Sequence, residues 1–259
     1  MLAFLKQVFP HLSDQLLFRW QQLQFFRKNQ AFLKKHSGTA FPDDYTLYES
    51  YQLNHQKYLA DGAATAKEIL DSVKTYLPPA PAILDWGCGP ARITRHLKRC
   101  CPDAQVSGSD INAKTIAWNQ THIHDIDFVL QQQSPPLPFA DEQFNLVIGF
   151  SVFTHIPADV QQDWLNELYR ILQPGGILWI TTHGNHFIHR LSSVQQQLIQ
   201  QKGIHHTSYP KTGHRMMTVW HEPGYFKKIL EARFKSIVHF DGATHPEQAG
   251  RQDLWILKK

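Results

Sequence analysis

The stretch ILDWGCGPARITRHL, Ile83 to Leu97, places an acidic residue, two closely spaced glycines and a helix start directly behind an apolar strand. Ala82, Ile83 and Leu84 follow the proline-rich break Leu77 to Pro81, and an apolar run bounded in this way reads as a buried parallel strand, too short for a helix. Asp85 then falls at the carboxyl end of that strand. Gly87 and Gly89 permit tight turning and let a ligand approach the main chain where a Cβ would intrude. Pro90, with its fixed φ, suits the first position of a helix that carries Ile93 and Leu97 at helical spacing. Such crossings from strand to helix are where open α/β sheets bind their ligands.

Two ligand classes use a loop of this kind. A dinucleotide fingerprint has its third glycine where this chain has Arg92, and it rests a pyrophosphate on the helix N-terminus, a poor neighbour for Asp85. An acid before the first glycine suits a ligand with a cationic amino group, such as that of methionine. The pattern resembles the first motif of the class I S-adenosylmethionine-dependent methyltransferases, D/E-x-G-x-G-x-G, with Ala91 in place of the last glycine.

The neighbouring segments fall in a matching order. Val106 to Asp110 reads as a second short strand, ending in an acid at about the distance where a nucleotide-binding crossover keeps its ribose-hydroxyl acceptor. Asp110 has a second role open to it, capping the helix that starts near Asn112, and the two are compatible. Phe128 to Leu130 and the apolar FNLVIGF, Phe144 to Phe150, supply a third and a fourth strand. The segment PPLPFADEQFNLVIGFSVFTHI is similar to the middle of a methyltransferase group whose acceptor is usually a small molecule or a sugar. ELYRILQPGGILWITTHG, Glu167 to Gly184, resembles the helix, Pro-Gly-Gly turn and strand that recur in the superfamily. The resemblance covers about Tyr45 to Leu257 and is most specific from Ile83 to Gly184.

That resemblance implies a Rossmann-like α/β fold: a seven-stranded, mostly parallel sheet with an antiparallel edge hairpin near Ser236–Phe240 and Leu254–Leu257, and helices on both faces. It implies S-adenosylmethionine as cofactor, S-adenosylhomocysteine as product, and a methyltransferase enzyme. The cofactor-binding residues it indicates are Asp85, Trp86, Gly87, Cys88 and Gly89 in the loop, with Asp110 and Ile111 after the second strand. Gln132 or Gln133 stands where the family contacts adenine, and Phe150 and Ser151 end the fourth strand beside the cofactor.

Length and composition agree. At 259 residues, 42% of them hydrophobic, the chain can bury one substantial core and carry a small appendage. Cys88, Cys100 and Cys101 form neither a disulfide framework nor a spaced zinc motif, and no apolar segment spans a bilayer, so a reducing, cytoplasmic setting without a transmembrane segment is expected. The net charge of +4 is uneven: Lys6, Arg19, Arg27, Lys28, Lys34 and Lys35 face only Asp14 within the first forty residues. There Leu12, Leu16, Leu17, Trp20, Leu23 and Phe26 recur at three- and four-residue spacing behind the cap candidate Ser13, predicting a basic amphipathic helix. Such a helix packs on the domain, meets a dimer mate, or makes a peripheral contact with a membrane surface or partner. Nucleic acid is not expected as a partner, because no tight Lys/Arg cluster occurs and FSVFTH, Phe150 to His155, departs from the Asn/Asp-Pro-Pro-aromatic run of base-amine methylating enzymes.

The acceptor is expected to be a small molecule methylated on O or N. A hydroxyl acceptor must lose a proton, so a base is useful. Histidine is the natural candidate, and seven of the chain's 16 histidines lie between His183 and His221. His155 and His183 are expected as catalytic bases or acceptor contacts, with His186, His214 and His221 as substrate contacts. No metal is expected, because HExxH is absent and the histidines have no diagnostic ligand spacing. Tyr45 and Tyr51 precede the core and line the acceptor site or pack as an amphipathic face. The predicted organisation is a helical extension over 1–44 and a methyltransferase domain over 45–259, with a substrate-side insert or lid over 184–222. Within the insert, His189–Gln201 is a helix candidate, Gly203–Gly213 is polar and turn-rich, and Arg215–Trp220 is a strand. The competing function is a non-catalytic, cofactor-binding or partner-dependent scaffold subunit docking through the N-terminal helix.

Overall fold

The computed structural model describes residues 10–208 and 217–259, and the chain divides into two compact units, Met1–Gly62 and Ala63–Lys259. The boundary lies inside the helix His55–Val73, beyond residue 45, so the tyrosine-bearing segment belongs to the first unit. No helix among the described residues is long and apolar enough to cross a membrane.

In the first unit the helix Pro10–Lys35 is followed by Asp44–Ser50, whose N-terminus is capped by the Asp43 carboxylate accepting from the amides of Tyr45 and Thr46. Leu47, Tyr48, Leu53 and Tyr58 form a small core against Leu17, Phe18 and Phe25 of the long helix. The Tyr48 hydroxyl donates to the Asp14 carboxylate (2.9 Å), and Asn29 brackets the next turn, donating to Leu53 O (2.7 Å) and accepting from His55 N (3.1 Å). The long helix therefore has two apolar sides. Leu17 packs inward with Phe18 and Phe25, whereas Leu16, Trp20, Leu23 and Phe26, read from the sequence as sharing its face, remain exposed. The side chains of Leu12 and Ser13 lie outside the described residues.

The second unit is built on strands β1 (Ala82–Trp86), β2 (Gln105–Asp110), β3 (Asp127–Leu130), β4 (Phe144–Gly149), β5 (Leu172–Thr182), β8 (Lys235–Phe240) and β9 (Asp253–Lys258); β6 (Ile204–Ser208) and β7 (Met217–His221) form a separate pair. The seven-stranded order is β3-β2-β1-β4-β5-β9-β8. Strands β1 to β5 run parallel, and β9 pairs antiparallel with both β5 and β8. Strand pleating assigns alternate residues to opposite faces. Ile83, Leu146, Ile148, Ile177, Trp179 and Ile256 pack with Ile69, Val73 and Leu97 on one face. Leu84, Val147, Leu178, Ile180, Trp255 and Leu257 pack with Trp164, Leu168 and Phe226 on the other. Both faces are covered, which is why the central strands read as continuous apolar runs. Strand order reverses between β1 and β4, and at this switch point the carboxyl ends of the two strands open a crevice.

After β5 come a short helix, Asn185–Ile188, and the helix Ser193–Lys202, which opens on a reciprocal capping box between Ser192 and Gln195 and ends on Gly203 at φ 77°. From the sequence, residues 203–213 read as turn, yet Ile204–Ser208 is a strand paired antiparallel with β7. IHHTS lacks the apolar alternation that marks a half-buried strand, and the pairing is supplied by β7 instead. The predicted strand at Arg215–Trp220 appears as Met217–His221. His214 and Arg215 lie outside the described residues.

Candidate functional site

The loop after β1 is fixed from behind by β2. The amides of Gly87 and Cys88 both donate to Ser109 O (2.8 and 2.9 Å), and the amide of Gly89 donates to an Asp110 carboxylate oxygen (2.9 Å). Asn119, fully buried on the helix Ala113–His122, donates to Gly89 O (2.8 Å) and locks the other side of the turn. Both glycines are left-handed, at φ 74° and 50°, but they face different surroundings. A Cβ on Gly87 would stand 2.6 Å from Val152 Cγ2, whereas a Cβ on Gly89 would meet nothing within 4 Å. Gly87 is thus required by packing, and Gly89 borders the open space of the crevice. Ala91, at the position of the motif's last glycine, also has a positive φ, 58°.

Asp85 is buried at the strand end and accepts from Thr94 Oγ1 (2.6 Å). Burial pushes its carboxyl up to about 6, against the opposing pull of the Thr94 hydrogen bond and the Arg92 charge. The chain therefore holds a buried acid without a cationic partner sufficient to restore its ordinary pKa. Asp110 is also buried, with one oxygen accepting from Gly89 N and the other from Asn112 N (2.8 Å). Each carboxylate oxygen has a second lone pair, so capacity for two further donors remains. The helix cap itself is Asn112, whose side chain accepts from Thr115 N (3.2 Å), so Asp110 anchors the cap rather than forming it.

Ile111 is partly exposed beside Asp110. The β2–β3 register pairs Asp110 with Leu130, so the residue after β3 emerges next to the acid. That residue is Gln131, whose amide donates to Asp110 O (3.0 Å) and whose buried Oε1 has no partner. The side chains of Gln132 and Gln133, nominated from the sequence, are exposed. Trp86 contributes its main chain to the strand end, but its indole packs in the core against Phe153 and Trp164 (ring centroids 5.6 and 4.9 Å). Cys88 is buried behind the loop, and desolvation raises its thiol pKa, disfavouring a reactive thiolate.

At the end of β4, Phe150 stacks on Trp179 (5.9 Å) with the Arg92 guanidinium over its ring (5.4 Å). Ser151 is held at φ 63° by a closed network: its amide donates to Thr181 Oγ1 (2.8 Å), Thr181 donates to Gln252 Oε1 (2.7 Å), and Gln252 Nε2 donates to Ser151 Oγ. Non-glycine residues in this region are costly and persist where their surroundings over-determine them. Thr181 and Gln252 carry no sequence motif that would have singled them out.

Three of the nominated histidines converge beyond β4 and β5. His155 is tied by Nδ1 to Met217 O (2.7 Å), and His183 O accepts from His221 N (3.0 Å). His221 is buried against Phe226, with its Nε2 2.9 Å from Gln161 Nε2. Gln161 also donates to Ile156 O (2.8 Å), so its NH2 group lies against the imidazole and the carbonyl at once. Burial drives His183 down to about 4 and His221 to about 3, each further lowered by its histidine neighbour, His155 and His183 respectively. Both are neutral at physiological pH. His186 contacts Arg190 Nη2 (2.6 Å), and its pKa is lowered by desolvation and then by the charges of Arg190 and Arg251. Tyr45 and Tyr51 lie in the first unit, where their hydroxyls donate to Glu49 and Asp61.

The strand order, the glycine turn at the switch point and the two buried acids make up a Rossmann-like sheet with a crevice at the carboxyl ends of β1 and β4, as in the class I S-adenosylmethionine-dependent methyltransferases that the sequence resembles. Residues 83–176 match the family model described as a methyltransferase domain. A malonyl-(acyl-carrier protein) O-methyltransferase of Enterobacter lignolyticus is 35% identical over 100 residues, 39% of this chain and 38% of that protein. A trans-aconitate 2-methyltransferase of Variovorax paradoxus is 28% identical over 131 residues, 51% of this chain and 49% of that protein. The chain thus spans less than half the length of either relative. Among solved structures, a 1,6-didemethyltoxoflavin-N1-methyltransferase of Burkholderia thailandensis, crystallised with 1,6-didemethyltoxoflavin and S-adenosylhomocysteine bound, superposes with a TM-score of 0.55 at 16% identity, covering 85% of this chain and 91% of that one. The site fits the cofactor of this class: a buried acid short of a cation, open space over Gly89 and an unpartnered Gln131 oxygen match an ammonium group, a close-lying main chain and an adenine amine.

Proposed function

We propose that this domain transfers a methyl group from S-adenosylmethionine to an oxygen of a small carboxylic acid. The observation that carries the donor half is Asp85, a buried carboxyl raised to about 6 beside the open space over Gly89. Asp85 receives the amino group, Gly87 and Gly89 admit the ligand close to the main chain, Asp110 accepts from the ribose hydroxyls, and Ile111 and Gln131 flank the adenine. The cofactor, when bound, supplies a methyl group already activated on a sulfonium. The protein's own task is then to place the acceptor in line and exclude water.

The acceptor half rests on chemistry and on likeness. Malonyl and aconitate, named for the two relatives, are carboxylic acids. A carboxylate is anionic at neutral pH and needs no proton removed. His183, neutral down to about pH 4, is suited to a hydrogen-bonding contact rather than to a base matched to neutral pH. Arg190 and Arg251 bring positive charge to the same histidine-rich side. Incubation with methyl-labelled S-adenosylmethionine and a panel of malonyl thioester, trans-aconitate, phenol and amine acceptors tests this. Label should enter the acids and be released as methanol by mild alkali; transfer only into alkali-stable products contradicts the carboxylate assignment. His183→Asn should raise KM severalfold and hold kcat within about tenfold, whereas a loss of about 10² or more in kcat would make His183 the base.

A further inference from the structure

The helix Pro10–Lys35 carries none of the residues assigned to methyl transfer. Leu16, Trp20, Leu23 and Phe26 are 58%, 56%, 81% and 62% exposed on it. Helical periodicity sets Leu16, Trp20, Leu23, Arg27 and Lys34 along one line, about 27 Å from first to last, and all five are exposed. The line is apolar in its first half and cationic in its second. Asp14, the helix's one acid, is engaged by the Tyr48 hydroxyl, and Arg27 and Lys34 have no ion-pair partner among the described residues. The opposite side is spent on the unit's own core, through Phe18, Phe25 and Asn29.

We propose that this face docks an acidic amphipathic helix of a partner protein, apolar side chains on Leu16, Trp20 and Leu23 and carboxylates on Arg27 and Lys34. Charge distribution selects this occupant over the others. A helix lying in a lipid interface carries its cations on the polar side of an apolar stripe; here Arg27 and Lys34 continue the stripe itself and would be carried into the acyl layer with Leu23. A second copy is disfavoured in either direction: parallel pairing sets like charges on one another, and antiparallel pairing that brings the apolar halves together, Leu16 against Leu23, leaves Arg27 and Lys34 beyond them with no acid to receive them. A partner helix apolar in one half and acidic in the other satisfies both halves at once.

Fluorescence anisotropy of the full chain tests the proposal, using a labelled helical peptide with leucines along one half of its face and glutamates along the other. The peptide should bind at low salt and weaken as salt rises. Trp20→Ser with Leu23→Ser should cost about tenfold or more at every salt concentration, and Arg27→Glu with Lys34→Glu should abolish the salt-sensitive part. A peptide of the same composition with leucines and glutamates interspersed should bind at least about tenfold more weakly. Equal binding of the two peptides, or indifference to either pair of substitutions, overturns the proposal. Flotation of the wild type with phosphatidylglycerol vesicles, or a concentration-dependent dimer lost in the Leu23→Ser chain, overturns it in favour of a membrane or a second copy. Far-ultraviolet circular dichroism and a thermal melt of each variant serve as the folding control, read independently of the docking result.

Discussion

Asp110→Ala is expected to weaken S-adenosylmethionine binding by about 10² to 10⁴, because charge-assisted hydrogen bonds contribute about 1.5–3 kcal/mol each and the substitution removes the proposed acceptor for both ribose hydroxyls. The same carboxylate receives Gly89 N and Asn112 N, so alanine also leaves two buried amides unsatisfied. A separate readout is therefore needed. Asp110→Asn retains an acceptor for one amide and should fold with a melting temperature closer to wild type, yet still bind the cofactor at least about tenfold more weakly. Titration calorimetry of both variants, with thermal melts alongside, checks this. Wild-type affinity in Asp110→Asn would remove Asp110 from the site.

The second large effect has opposite signs for stability and binding. Asp85 has a folded-state pKa of about 6, above its ordinary 3.8. The folded chain binds the extra proton between those values, so the contribution of Asp85 to stability is greatest below about pH 4 and is lost as pH rises through 6, leaving an ionised buried carboxyl as a penalty at neutral pH. A shift of this size corresponds to at most about 3 kcal/mol. Asp85→Asn removes the charge and keeps an oxygen for Thr94, so the ligand-free variant should melt a few degrees higher than wild type at pH 7.5 and at the same temperature or lower at pH 4. Its cofactor affinity should fall by about tenfold to a hundredfold through loss of the charged partner of the amino group. A thermal shift series over pH, repeated with S-adenosylhomocysteine, reads both. A destabilised Asp85→Asn chain at pH 7.5 would contradict the assignment of burial as the dominant cause.

The central strands and the donor loop were legible because their physics is local. Apolar runs of the right length between breakers give β1, β4 and β5, and the Asp-x-Gly-x-Gly spacing gives a turn at the carboxyl end of β1. What was not legible depends on long-range register or on neighbours in space. Three consecutive glutamines give no clue to which one turns inward, and only the Asp110–Leu130 pairing selects Gln131. Asn119 and Thr94 sit in helices where a polar residue ordinarily reads as surface, yet both are buried holding the cofactor loop and its acid. β6 was hidden because its sequence is polar on both faces, and Trp86 was drawn toward the cofactor by sequence adjacency although strand alternation sends its indole to the core. In the N-terminal helix, grouping Leu17 with Leu16, Trp20, Leu23 and Phe26 concealed that Leu17 packs inward with Phe18 and Phe25 whereas the others remain exposed.

The most direct test of the account is a calorimetric titration of the wild-type chain at pH 7.5 with S-adenosylmethionine, S-adenosylhomocysteine and NAD in parallel. Binding of the two sulfur nucleosides at one site, with none detectable for NAD, is the predicted result. Binding of NAD in place of either, or of neither sulfur nucleoside by a chain that melts cooperatively, would contradict the reading of Asp85, Gly89 and Asp110 as a sulfonium-nucleoside site.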